Sequence, residues 1–192
     1  MTSTAGGVDL SLRSLRDRPF ELLKELEKRS RSVAAGSEPD AAAGREWVGV
    51  AFRMGGETFL VARQETREVL GYPAAVTRIP GAKAWVKGLA NVRGQLLPML
   101  DLRQFLGSGV TAAGRNTRVI VVNHRDIPAG LVVDEVLGFR RFADREFNAD
   151  VPPTVIRCEH YLAGAFRRGG EVWPVLSLKS LVESQGFMQA AS

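Results

Sequence analysis

The apolar positions of the chain follow two grammars that meet near Glu46. Ahead of it, residues 1–16 show no clear apolar period and carry Gly6-Gly7 among several serines, as a mobile terminus would. From Asp17 the spacing turns helical. Phe20, Leu23 and Leu26 recur every third residue beside Leu22, Pro19 suits a first turn, and Glu21, Lys24, Glu25, Glu27, Lys28 and Arg29 occupy the other face. This predicts a short amphipathic helix over 17–30 that is marginal alone. Its face of Phe20, Leu23 and Leu26 is expected to dock, either back on the protein or on a partner. Ala34 to Gly44, with Gly36, Ser37 and Pro39, reads as a linker.

After Glu46 the pattern belongs to strands. Trp47, Val48, Val50 and Phe52 lead into Gly55-Gly56, and Phe59, Leu60 and Val61 follow, which predicts a hairpin with a glycine turn. Leu96 to Leu100 is a compact apolar run whose Pro98 suggests a strand edge or a bulge. Val119–Val122 and Leu131–Val133 flank the polar stretch Asn123 to Asp126. Leu102, Phe105 and Leu106 predict one or two helical turns ending at Gly107. Short strands with frequent turn signals argue for a mainly β fold, barrel or sandwich.

An internal repeat narrows the choice. Trp85 to Leu106 lies over Tyr161 to Val182 at a constant offset of 76 residues, matching Gly88 with Gly164, Gly94 with Gly170, Pro98 with Pro174, Leu100 with Leu176 and Leu102 with Leu178. Upstream, Glu68-Val69-Leu70-Gly71 recurs as Glu135-Val136-Leu137-Gly138 at an offset of 67. Short apolar strings also coincide by chance. If the copies are real, each half of about 65 residues has too little core to stand alone, and the two are expected to share one.

Composition adds limits. Apolar residues make up 45% and charged residues 24% of 192, the profile of a folded domain, and no apolar run is long enough to span a membrane. Cys158 is the single cysteine, and Met1 to Val8 lack the order of a secretory signal, so a reducing, cytoplasmic setting is expected. The net charge of +5 is spread thinly, with Arg140-Arg141 and Arg167-Arg168 the densest basic pairs. A basic barrel binding nucleic acid is the alternative this leaves open, though no basic stripe with interleaved aromatics supports it. Asp101 and Asp134 each follow an apolar run where a carboxylate caps backbone amides, which competes with a catalytic reading as a pair. Cys158-Glu159-His160 raises a thiol nucleophile, but neighbours on a strand face opposite ways. With only His124 and His160 present, a metal centre lacks nitrogen and sulfur ligands, and no phosphate loop is present. No catalytic residue, cofactor or metal is expected.

Lys87-Gly88-Leu89-Ala90-Asn91-Val92-Arg93-Gly94-Gln95-Leu96-Leu97-Pro98-Met99-Leu100-Asp101-Leu102-Arg103 resembles the signature stretch of CheW-like adaptor domains. Gly130 to Val136 and Trp173-Pro174-Val175-Leu176 extend the likeness, in order, across residues 47–185. The resemblance implies two intertwined five-stranded SH3-like barrels around a shared hydrophobic core, with short helices and the N-terminal helix outside it. The expected layout is a flexible segment over 1–45, the CheW-like domain over 46–185 and a tail over 186–192. It further implies a non-enzymatic adaptor between the cytoplasmic tip of a methyl-accepting chemoreceptor and the regulatory, CheW-like domain of a CheA-type histidine kinase. Neither nucleic-acid binding nor membrane insertion is expected, and the resemblance implies recruitment to membrane-associated receptor arrays, polar ones included. Pro19 to Leu23, Phe52 to Gly56, Trp85 to Gly88 and Gln185 to Phe187 resemble the PilI-type branch, which serves type IV pili and twitching motility. By the same resemblance, Glu68 and Arg93 lie near the receptor groove, with Val69, Leu89 and Val92 supplying burial. Asn91 belongs to the same segment, and Gly88 and Gly94 let the backbone turn closely. From the residues alone, Glu68 and Arg93 are equally well an ordinary surface ion pair.

Overall fold

A computed structural model describes residues 46–124 and 127–190. The expected helix over 17–30, with Phe20, Leu23 and Leu26, lies outside the described residues.

Among the described residues eleven strands and three short α-helices follow one another: β1 (Glu46–Met54), β2 (Glu57–Ala62), β3 (Thr66–Gly71), β4 (Val86–Val92), β5 (Gln95–Asp101), α1 (Leu102–Phe105), β6 (Arg118–Val122), β7 (Gly130–Val133), β8 (Glu135–Ala143), β9 (Phe147–Asn148), β10 (Leu162–Arg168), β11 (Glu171–Leu176), α2 (Leu178–Val182) and α3 (Gln185–Met188). They form a five-stranded sheet in the order β3-β6-β7-β5-β4 and a six-stranded sheet in the order β8-β1-β2-β11-β10-β9. Without the two-residue β9, the second sheet repeats the first position by position. This is the pair of five-stranded SH3-like units expected from the sequence, with one short strand added.

The correspondence reaches individual hydrogen bonds. Asp101 N–H donates to Trp85 C=O and Ser177 N–H to Tyr161 C=O, both at 2.8 Å, at equivalent positions of the repeat. The Asp101 carboxylate then caps α1 at the Gln104 amide, and the Ser177 hydroxyl caps α2 at the Ser180 amide. Pro98 and Pro174 also play one part. β5 is an internal strand, not an edge, but its parallel pairing with β7 begins at Met99, one residue beyond the proline. β11 pairs in parallel with β2 at Val175, again one residue beyond Pro174. The missing amide therefore interrupts neither ladder.

In chain order each copy is a hairpin, a strand and a second hairpin. In space the first hairpins are exchanged. β1-β2 completes the sheet built from β8, β10 and β11, whereas β6-β7 completes the sheet of β3, β4 and β5. Strand alternation explains why this holds. On β1, Val50, Phe52 and Met54 face one core while Ala51 faces another; on β6, Ile120 and Val122 face one and Val119 and Val121 the other. One cluster fills each barrel, and a third, containing Phe52, Phe59, Ile120, Leu131, Leu176 and Leu178, joins them. The exchanged strands are thus buried on both faces and read as unbroken apolar runs. Each fully buried Phe or Leu contributes about 1.5–3 kcal/mol. Phe187 of α3 is also buried, stacked on Trp85 with ring centroids 5.6 Å apart.

Candidate partner-binding site

The β4-β5 hairpin turns at Arg93-Gly94 with positive φ at both residues, 51° and 83°. Two-residue hairpin turns favour this pair of conformations because their twist matches the strands. The turns at Gly55-Gly56 and Gly169-Gly170 have the same signs, but only glycines. Arg93 is the one non-glycine residue with positive φ among the described residues. A Cβ in that region costs about 1 kcal/mol. Asn91 supports the turn, its side-chain oxygen accepting the Gly94 amide at 2.9 Å.

Arg93 reaches from this tip to β3, the opposite edge of the same sheet, where Nη1 lies 3.0 Å from Glu68 Oε2. Its side chain remains 76% exposed. Two hollows adjoin the pair. A cleft of about 550 Å³ is lined by Arg67, Glu68, Val92, Arg93, Leu96 and His124 among others. A groove of about 300 Å³ runs between β3 and β8, the equivalent edge strands of the two barrels, over Val50, Val69 and Val136, with Arg63, Arg67 and Phe139 at its rim. Arg67 and Glu68 line both.

Of the residues singled out in the sequence, Glu68, Val92 and Arg93 meet at the cleft, with Asn91 and Gly94 shaping its tip, and Val69 lines the groove. Gly88 and Leu89 line neither hollow. Leu89 exchanges backbone hydrogen bonds with Thr77, and a Cβ on Gly88 would collide with the Thr77 carbonyl. Their position is fixed by the crossing of 72–85 over β4. Val136 and Phe139 were not anticipated. The repeated Glu-Val-Leu-Gly word carries the signal for Val136, because it places Val69 and Val136 at one position of the two edge strands. Nothing in the sequence singles out Phe139, whose ring stands 60% exposed.

The other candidate chemistries resolve into structure. Asp101 is buried and accepts from the Gln104 amide, the Thr111 amide and the Thr111 hydroxyl, with Lys87 Nζ 3.0 Å away. Asp134 accepts the Gly55 amide at 2.7 Å. Cys158 sits in the joining core, and burial pushes its thiol up to about 11 despite a contact with the Thr154 hydroxyl. Such a thiol is a poor nucleophile. His124 Nε2 meets Glu183 at 3.1 Å instead. Among the described residues no His, Cys, Asp and Glu side chains gather as a metal site, and no helix is long and apolar enough to cross a membrane.

Known proteins share this arrangement. The crystal structure of the scaffolding protein TtCheW from Thermoanaerobacter tengcongensis superposes with a TM-score of 0.66 over 77% of this chain and 100% of its own, at 23% identity, which establishes the fold. Protein PilI of Pseudomonas aeruginosa is 42% identical over 173 residues, 90% of this chain and 96% of that one. Chemotaxis protein CheW of Klebsiella aerogenes is 30% identical over 70% of this chain and 80% of its own. The model of the CheW-like domain matches residues 48–186, taking in both barrels and the Arg93 tip, and the chain belongs to that family.

Proposed function

We propose that the protein is a non-enzymatic adaptor that couples chemoreceptors to a CheA-type histidine kinase. In this reading it serves a system controlling type IV pili and twitching motility, which its likeness to PilI along nearly its whole length supports. It would work in the cytoplasm, recruited to receptor arrays at the membrane. The observation that carries the reading is Arg93. A strained, exposed arginine stands where the equivalent turn has Gly169, and neither core packing nor turn geometry asks for it. Its planar fork suits a carboxylate or a carbonyl row on a partner, with Glu68 setting its direction.

The receptor's helical hairpin tip is assigned to the groove between β3 and β8, beside this pair. The kinase's regulatory domain needs a separate surface. The loop at 150–156 supplies one: Val155 is 83% exposed, Val151 is exposed four residues before it, and Pro152 and Pro153 between them share a hollow with Val172. This loop is rigidly held, because the Glu57 carboxylate accepts both the Val155 and Ile156 amides at 2.9 Å. An apolar knob on a fixed loop suits barrel-end to barrel-end docking. Signal would pass through array geometry, without chemistry in this chain.

Calorimetric titration against the kinase regulatory domain and against a receptor tip tests both assignments. Wild-type protein binds each. Val155→Glu loses the kinase domain at least about tenfold and keeps the receptor, and Arg93→Glu does the reverse. Failure of the folded wild type to bind the kinase domain would remove the adaptor reading.

A further inference from the structure

We infer that the groove between β3 and β8 selects an amphipathic helix whose apolar stripe is flanked by carboxylates, with Arg63, Arg67 and Phe139 as the selecting residues. This rests on the receptor reading of the groove and adds the chemistry of the helix that fits it.

The floor is apolar, made by Val50, Val69 and Val136, and the Phe139 ring rises from it into solvent. The ring is not left to itself. The Arg63 guanidinium lies 6.0 Å from its centroid, within reach of the ring's negative face. On the same strand, Arg140 Nη1 donates to the carbonyls of Leu137 and Phe139 at 3.3 and 3.0 Å, covering the outer edge of β8. That cover works against an extended strand adding to this edge and leaves the apolar floor as the binding feature.

The rim is cationic. Arg63 and Arg67 line the groove, and Arg93 stands at the adjoining cleft. The one carboxylate lining either hollow is Glu68, already paired with Arg93 at 3.0 Å. Arg67 makes no ion pair among the described residues. Arg63 donates through Nη1 to the Thr66 carbonyl at 3.2 Å, which leaves most of its five donors for another acceptor. A helix with a neutral or basic flank would cover these cations without pairing them. A helix with Glu or Asp beside its stripe pairs both, while its apolar side chains meet Phe139 and the valines. Charge in this position governs which helix binds more than how tightly any helix binds.

The test uses the full chain, nitrogen-15 labelled, and two synthetic amphipathic helices with one Leu/Val stripe, flanked by Glu in one and by Lys in the other. The Glu-flanked helix should bind about tenfold more tightly, shift the amides of Val69, Val136 and Phe139, and lose its advantage as salt rises. The double variant Arg63→Gln/Arg67→Gln should bring the two helices within about twofold of each other at an unchanged melting temperature. Phe139→Ala should weaken both alike. Equal affinities for the two helices, or shifts confined to another face, overturn the inference and leave the kinase titration to decide the adaptor reading. Failure of the kinase titration with the helix preference intact has the opposite meaning: the groove chemistry stands and the adaptor reading falls.

Discussion

Arg93-Gly94 and Gly169-Gly170 are one turn in two uses. Both join the last two strands of a barrel, both have positive φ throughout, and both barrels use an arginine near the turn to reach the opposite edge of the sheet. In the second barrel that arginine is Arg168, one residue before the turn, on an ordinary strand position. Its guanidinium holds Glu146 through two hydrogen bonds, donates to the Arg141 carbonyl at 2.9 Å and lies 4.5 Å from the centroid of Phe142. Its Nε and Nη2 donors both bond back to the protein. In the first barrel the arginine has moved onto the turn itself, accepts the conformational penalty and makes a single exposed ion pair. One arginine bonds back to its own barrel, and the other takes up a strained conformation and stands exposed.

The comparison breaks first at Gly88 and Gly164, where the two copies should behave alike. A Cβ at either would strike a backbone carbonyl, Thr77 in one and Asn148 in the other, and both have φ near +137°. Gly88→Ala and Gly164→Ala should each cost about 3 kcal/mol or more in urea denaturation, and a large inequality would mean the copies are not mechanically equivalent. At the tips the copies should diverge. Arg93→Gly removes strain of about 1 kcal/mol and an exposed pair worth about 0–1 kcal/mol, so stability should hold or rise slightly while affinity for the proposed receptor partner falls. Gly169→Arg should lower stability by about 1 kcal/mol and leave binding unchanged. A drop in stability for Arg93→Gly matching that of Gly169→Arg would deny the difference in use.

The smallest effect is a pH dependence. The hydrogen bonds from Arg168 and the Ala143 amide hold the Glu146 carboxyl down at about 2. A carboxyl lowered by folding stabilises the protein above its unfolded value, near 4.5, and the contribution disappears as pH falls toward 2. The urea midpoints of wild type and Arg168→Gln should therefore differ at neutral pH and converge in acid. A gap that persists in acid would locate the arginine's effect in its contact with Phe142.

Much of this was legible in the residues. The repeat located both barrels, because glycine at a close crossing and proline beside a parallel seam are fixed by backbone sterics and leave the same letters in each copy. Asp101 as a helix cap belongs to the same class, whereas its counterpart Ser177 was not singled out in the sequence. That the barrels intertwine came from family likeness alone; which hairpins are exchanged was not legible, since β1 and β6 carry apolar runs compatible with either partner sheet. Nor was Phe139, whose exposure depends on how β8 meets β3 in space. Arg93 drew attention through family likeness alone; its left-handed conformation became visible only beside Gly169.

The exchange of hairpins also sets an order in time. The barrel of β3 to β7 is encoded without interruption between Thr66 and Val133, so it is complete in the nascent chain as soon as β7 emerges. The other barrel opens with β1 and β2 and closes only with β11, which ends at Leu176. During synthesis its first hairpin waits with Val50, Phe52, Phe59 and Leu60 unsheltered while an entire barrel is made between its own parts. Pairings at such separation form slowly, and exposed β edges invite association in the interval. A ribosome stalled between β7 and β11 would hold a finished barrel beside an orphaned hairpin, the stage at which this protein is most in need of a chaperone.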